Sequence, residues 1–346
     1  MPADPPSSLR DAFPSYFAMV MATGIVSMAL QTLGHDTMAA ALFAFNLAAY
    51  AALWGVGGAR MLQAPQALAR GITDHLHGPQ FLTIVAATNV LGAQCAGIAG
   101  WEGIAAVMWV AGLVLWALVT YTFFAAVTVA IAKPGLELGI SGAWLLVTVS
   151  TESVAVLGAQ VAPHFARADI VMFASLCFFL AGGMLYILVI ALIFMRWTFL
   201  PMHSHTLTPT YWINMGAVAI TTLAGARLLE VSPAYPFIDG LTHFVAGLTL
   251  FFWATGTWWI PLLLVVFAWR HLRARAPVRY DSQYWSMVFP LGMYSVATTV
   301  YATDNALGFL LPLARFAGYV AAVAWAVTTI GLIRHLLRLR AGSAAG

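Results

Sequence analysis

Long apolar runs recur along the whole chain, separated by short polar breaks, and no soluble-sized insert interrupts them from Pro14 to Leu337. A hydrocarbon core of roughly 30 Å needs about 20 apolar residues per helix. Ten runs meet or approach that length: roughly 14 to 33, 38 to 59, 79 to 99, 103 to 131, 141 to 161, 169 to 195, 209 to 229, 241 to 269, 284 to 303 and 312 to 333. The pattern predicts an all-α integral membrane protein in which residues 14–338 form one ten-helix transmembrane domain. Residues 1–13 and 339–346 are expected to be short tails.

The odd-numbered runs resemble one another. Each opens on a turn former or small residue followed by an aromatic one, as in HGPQFLTIVAATNVLG and LTPTYWINMGAVAITTLAG. The aromatic anchors Phe17, Phe81, Trp144, Trp212 and Trp285 are 64, 63, 68 and 73 residues apart. A period this regular predicts a helical hairpin repeated five times. Odd runs carry small and hydroxyl residues, whereas even runs are bulkier and plainer, as in LVLWALVTYTFFAAVTVAI. Polar side chains are expensive in hydrocarbon, so the odd helices should face inward and the even ones lipid. Five inner helices in a quasi-fivefold arrangement would enclose a central pore lined by Gly24, Ser27, Thr88, Asn89, Thr151, Gly216, Thr221, Gly292 and Ser295. For any one of these residues the competing reading is close helix packing at a small-residue interface.

Composition agrees with the pattern. Of the 346 residues, 62% are hydrophobic and 8% charged, far below the roughly 25% charged of a soluble domain. The distribution of charge says more than the net +3. Even-numbered runs end in basic residues, and Arg10, Arg60, Arg70, Lys133, Arg196, Arg270, Arg273, Arg275, Arg279, Arg334, Arg338 and Arg340 fall on one side, leaving only Arg167, Arg227 and Arg315. By the positive-inside rule both termini are cytoplasmic in a plasma or inner membrane. Beside a span, the basic stretch HLRARAPVR is an orientation signal rather than a nucleic-acid site. The N-terminus lacks the basic and apolar regions of a cleaved signal. Cys95 and Cys177 have no C-x-x-C spacing and read as packing residues, and no Walker-type phosphate loop is present.

In the ninth run, YWSMVFPLGMYSVATT, a proline interrupts a helix-length apolar stretch. Pro290 removes one backbone hydrogen bond and crowds the preceding turn. A membrane helix tolerates this where the freed carbonyl lines a cavity or finds a neighbour. A bend there would turn Phe289 toward the axis as a hydrophobic constriction, while ordinary packing is the plainer alternative.

With its opening FPSYFAMVMATGIVS, the ninth-run YWSMVFPLG followed by SVAT, and the five-hairpin plan, the chain resembles the tellurite-resistance and C4-dicarboxylate transporter family from Phe13 to Arg338. That family includes plant slow-type anion channels, fungal malate permeases and sulfite exporters. The resemblance implies a pore inside each subunit of a homotrimer, with Phe289, matched through W-x-x-x-F-P, closing it. It also implies small anions as substrates, from halides and nitrate to sulfite, tellurite and dicarboxylates, with no cofactor and no nucleic-acid partner.

Glu152, midway along the fifth run, fits a plain anion pore poorly, because an ionised carboxylate repels anions and is costly to bury alone. Three explanations stay open: a salt bridge to Arg227, a neutral carboxyl, or proton exchange coupled to uptake of a C4-dicarboxylate such as malate. Arg227 could attract anions at one mouth or simply pair with Glu230. A rival class is a polytopic membrane enzyme, because TDHLHG and PMHSHT place His75, His77, His203 and His205 on the predicted cytoplasmic side, where paired imidazoles could hold a metal. His-x-His alone is a weak signal without an extended His/carboxylate helix motif.

Overall fold

The computed structural model describes residues 14–275 and 280–343, with side chains to residue 338. The expected tail over residues 1–13, with Arg10, lies outside the described residues, as do Arg279 and the side chain of Arg340. Among the described residues, regular structure is wholly helical. Its ten helices of 16 residues or more are α1 (Phe17–Thr32), α2 (Asp36–Gln63), α3 (Leu82–Ala99), α4 (Glu102–Val129), α5 (Leu146–Val161), α6 (Ala168–Phe199), α7 (Ile213–Val231), α8 (Thr242–Ala268), α9 (Trp285–Asp304) and α10 (Leu311–Ser343).

These follow the apolar runs, with two extensions. Helix α2 continues to Gln63, and α10 runs to Ser343, well past the apolar stretch ending near 333. The backbone of residues 339–343, expected as tail, is therefore helical. Both extensions carry arginines (Arg60; Arg334 and Arg338), whose charged ends no longer need the apolar layer once the helix leaves it.

Among the described residues, eight helices are long and apolar enough to cross a membrane. The other two are α1, with only 16 residues, and α9, diluted by Ser, Thr and Tyr. Burial explains why α1 can be short and α9 less apolar. The apolar windows of α3, α5 and α7, taken with their opening turns, are 89% to 94% buried inside the protein, against 17% to 39% for α2, α4, α6, α8 and α10. In α1, 13 of 16 residues are buried, and in α9, 14 of 20. A helix that meets only protein needs no apolar surface for lipid. The even helices instead expose Val107, Leu118, Leu188, Val265 and Val323, a surface suited to hydrocarbon.

Packing follows the same division. Helix α1 packs on α3, α3 on α5, α5 on α7, α7 on α9, and α9 back on α1, so the odd helices form a closed circuit. Each even helix packs on the odd helix before it (α2 on α1, α4 on α3, α6 on α5, α8 on α7 and α10 on α9). Four odd helices are preceded by a 3₁₀ turn, Gly78–Phe81, Gly142–Leu145, Pro209–Trp212 and Ser282–Tyr284. These turns carry the aromatic anchors or directly precede them, so the sequence period marks the point where each inner helix begins.

Candidate functional site

Phe289 and Pro290 lie in the first half of α9 and are both buried, Phe289 completely. Helix α9 continues through Pro290, whose ring sits against Gly216 of α7: a Cβ added to Gly216 would fall 2.6 Å from Pro290 Cγ. The proline is accommodated because its neighbour has no side chain. Ser286, Phe289 and Met293 recur at i, i+3 and i+7 and so share one face of α9.

The nine small and polar residues expected to line a pore are all buried within the inner helices, and most of them meet a neighbouring helix. Gly24 faces Val90 of α3, and Gly292 faces Ile25 of α1. Ser27 donates to the Ala39 carbonyl of α2 at 2.7 Å, and Ser295 to the Ala314 carbonyl of α10 at 2.8 Å. Asn89 Nδ2 donates to Ser153 of α5 at 3.0 Å, while Thr221 donates to Ala217 on its own helix at 2.9 Å. Thr88 and Thr151 are hydrogen-bonded to even helices, and Gly216 belongs to the proline seam. A buried hydroxyl or amide needs a partner, and its own helix or a neighbouring one supplies it.

A second repeat emerges in these seams. Each even helix, or α10 cyclically, sends a polar aromatic or hydroxyl group to the odd helix that follows it. Tyr50 of α2 meets Thr88 at 2.8 Å, Trp116 of α4 donates to Thr151 at 2.8 Å, and Tyr186 of α6 donates to the Asn214 carbonyl at 3.2 Å. Trp253 of α8 donates to Thr298 at 3.1 Å, and Trp325 of α10 to Thr23 at 2.9 Å. Tyr50, Trp116, Tyr186, Trp253 and Trp325 are spaced 66, 70, 67 and 72 residues apart. This period in the even helices parallels that of the odd anchors and was legible in the sequence. The buried amide pair of Asn46 on α2 and Gln94 on α3, 2.7 Å apart beside Gly24, was also missed.

Glu152 is wholly buried, and the Thr221 hydroxyl is the one polar partner beside its carboxyl group among the described residues. It lies between α5, α6 and α7: a Cβ on Gly182 of α6 would strike its carboxyl group, and Thr221 of α7 is adjacent. The salt bridge to Arg227 is overturned. Arg227 Nη1 donates to Glu230 Oε2 at 2.6 Å. It lies six residues past Thr221, about 9 Å further along the helix at 1.5 Å per residue. That ion pair matches the simpler alternative for Arg227 and offsets the charge an anion would sense.

At the end of the bundle where the odd helices begin, all five hairpins converge on a narrow cleft. Ser15, Gln80, Thr83, Ala143, Leu146, Thr210, Ser282, Gln283 and Ser286 are among its walls. Nearby, Arg196 of α6 is buried, donating to the Ile140 carbonyl at 2.6 Å and to the Tyr211 hydroxyl, which ties together the chain leading into α5 and α7. Gly142 permits this convergence, since a Cβ there would meet the backbone of Thr210 and Tyr211.

The histidines do not gather. His75 packs on Trp144 with ring centroids 5.0 Å apart, His77 pairs with Asp74 at 2.7 Å, and His203 stacks on His205 at 5.4 Å. Burial raises the Asp74 carboxyl, but hydrogen bonds from His77 and Leu76 outweigh it and leave the group below the usual carboxylate range. Burial, with help from Lys133, holds His75 below the usual imidazole range. Among the described residues, no three His, Cys, Asp or Glu side chains form a metal-sized group. Cys95 is buried as expected, whereas Cys177 is exposed on α6 rather than packed.

A helical membrane protein with a buried circuit of inner helices, an apolar outer layer and a polar cleft where the inner helices start has the build of a membrane transport protein. The voltage-dependent anion channel family profile matches residues 12–333, and the chain belongs to that family. It is 40% identical over 152 residues to an uncharacterized membrane protein of Mycobacterium tuberculosis, a stretch covering 44% of this chain and 77% of that protein. An uncharacterized transporter of Methanocaldococcus jannaschii is 22% identical over 301 residues, covering 83% of this chain and 82% of its own. Family and relatives mark a membrane transporter or channel, and the family is one of anion transport.

Proposed function

We propose that this protein passes small anions across a membrane along an axial path between α1, α3, α5, α7 and α9, closed at Phe289. The observation that carries this reading is the closed circuit of buried odd helices, with Phe289 one turn beyond Ser286 of the cleft on the same face of α9. On this reading all ten helices cross the membrane, as five hairpins in quasi-fivefold order. Helix α1, despite its 16 residues, and α9, despite its hydroxyl-bearing residues, cross because neighbours shield them from lipid. The assembly is a homotrimer in the plasma or inner membrane, with both termini cytoplasmic and one pore per subunit. Halides, nitrate, sulfite, tellurite and C4-dicarboxylates form the substrate range.

The test is flux through purified protein in liposomes, comparing wild type with Phe289→Ala for chloride, nitrate, sulfite and malate. The alanine variant should conduct strongly where wild type conducts weakly, because the substitution opens a hydrophobic constriction. Equal flux in both proteins would remove Phe289 as the gate.

A second reading, a proton-coupled C4-dicarboxylate carrier, is favoured by the buried carboxyl of Glu152, without a basic partner, where three helices meet. A buried titratable group inside a membrane domain is the usual element of a proton relay.

A further inference from the structure

At the end where the even helices stop, the outer corner between α8 and α10 carries most of the basic residues described at that end. We propose that this corner binds an anionic phospholipid, with the phosphate between arginines of the two helix ends and the acyl chains along the apolar flanks beside them. The site is separate from the axial path and concerns a partner of the outer surface.

The corner is built around the turn that leads into α9. Tyr280 packs on α10, its ring 5.6 Å from that of His335, and a Cβ on Gly331 would fall 2.9 Å from Tyr280 Cδ2. Arg334 and Arg338 follow Gly331 at i+3 and i+7 and so share its face of α10. On the other side, the charge of Arg270 is felt at Tyr284. Trp253 and Thr257 of α8 bond to Thr298 and Tyr294 of α9, which places α9 between α8 and α10. Beyond α8 the chain continues as a π-helical turn, Trp269–Arg273, a rare form that recurs at functional sites.

Charge is concentrated here. Arg270, Arg273, Arg275, Arg334 and Arg338 belong to this corner, whereas Arg60, Arg70, Lys133 and Arg196 are shared among the other three even-helix ends. Among the described residues none of these five arginines is ion-paired, while Arg167 and Arg227 at the opposite end are bound to Asp169 and Glu230. Nε and Nη1 of Arg270 are enclosed without a hydrogen-bond partner, and its guanidinium carbon stands 5.8 Å from the centre of the Phe267 ring. The acid of the corner is Asp281, whose carboxylate accepts from the Gln283 N–H at 2.9 Å. The positive-inside bias accounts for basic residues at every even-helix end but not for their crowding at one.

The occupant is a lipid rather than a free phosphate, because the same two walls expose apolar side chains next to their arginines. Leu264, Val265 and Leu272 are exposed on one wall, and Ile330, Ile333 and Leu337 on the other. Acyl chains can lie on these flanks while guanidinium groups meet the phosphate oxygens in a bidentate fork. Basic pockets between membrane helices bind anionic headgroups in this way.

The test is native mass spectrometry of delipidated protein in a neutral detergent, titrated with phosphatidylglycerol and, separately, with phosphatidylcholine of the same chains. One phosphatidylglycerol should bind at least about fivefold more tightly than phosphatidylcholine. Arg334→Gln and Arg338→Gln, both exposed, should each weaken it about fivefold, the share of one basic residue beside an anionic headgroup. Arg270→Gln should act in the same direction from the other wall, and Arg334→Lys and Arg338→Lys should keep most of the preference. Arg70→Gln combined with Lys133→Gln removes two exposed charges from other helix ends and should leave binding unchanged. If Arg270→Gln disturbs folding, the exposed α10 pair carries the test alone. Equal affinity for the two lipids, an equal loss in the Arg70 and Lys133 control, or displacement of the lipid by inorganic phosphate would overturn the proposal. Binding in detergent depends neither on flux nor on which face is cytoplasmic, so its failure leaves the passage reading standing.

Discussion

Phe289 and Glu152 are both fully enclosed, yet their surroundings suit them to opposite tasks. An apolar ring is at ease in a packed core and can block a path by shape alone. A carboxyl group with only one hydroxyl beside it is not at ease, and its retention calls for a role. If Glu152 carries protons, Glu152→Gln should abolish uptake driven by a pH gradient while leaving anion exchange intact, since glutamine keeps the shape and removes the titrating proton. Liposome uptake of malate with and without an imposed gradient reads this directly. An unchanged gradient response would leave Glu152 a packing residue lodged against Gly182. Sequence alone marked both residues, because a proline within an apolar run and an acid within a span are each conspicuous. It could not show what faces them, and the Arg227 pairing failed because depth along two helices from different hairpins is a tertiary quantity.

At the scale of the helix, the hydroxyls of the odd helices act as seam bonds. The cyclic series from Tyr50 to Trp325 joins each outer helix to the inner helix that follows it, and it engages Thr88 and Thr151 among the residues expected to line a pore. Trp116→Phe removes the indole donor to Thr151 and should lower stability by about 0.5 to 1.5 kcal/mol. The lower part of that range is expected, since interhelical hydrogen bonds in membrane proteins average about 0.6 kcal/mol in mutant cycles. A double-mutant cycle with Thr151→Val, read by unfolding in mixed detergent, should show coupling of that size. Strictly additive losses would mean the bond contributes only packing. A side chain's hydroxyl is visible in sequence, but whether it turns to a cavity or a neighbour depends on helix rotation, which pattern leaves undetermined when polar residues are spread around the helix.

For the whole molecule, the arrangement predicts one orientation. The basic residues at the even-helix ends share a side with the cleft, because odd helices start where even helices stop. In a cysteine-free background, Arg70→Cys should resist a membrane-impermeant thiol reagent in intact cells, and Glu102→Cys should react. The inverse labelling would place the cleft on the outer face and overturn the positive-inside assignment. The exposed apolar surface of the even helices also leaves room for contacts between subunits as well as lipid, as a trimer requires.

The amino-acid sequence by itself determined the membrane class, the ten long helices to within a few residues at most ends, the spacing of their aromatic anchors, and which helices are the buried ones. Each of these depends on apolar length or on a spacing between like residues, both of which are properties of the chain in one dimension. Tertiary structure decided that the odd helices close into a circuit, that Ser27 and Ser295 bond to carbonyls of neighbouring helices, that Arg227 belongs to Glu230, and that the starts of five hairpins enclose one polar cleft. Those facts depend on the rotation and depth of helices far apart in the chain, which only packing one against another specifies.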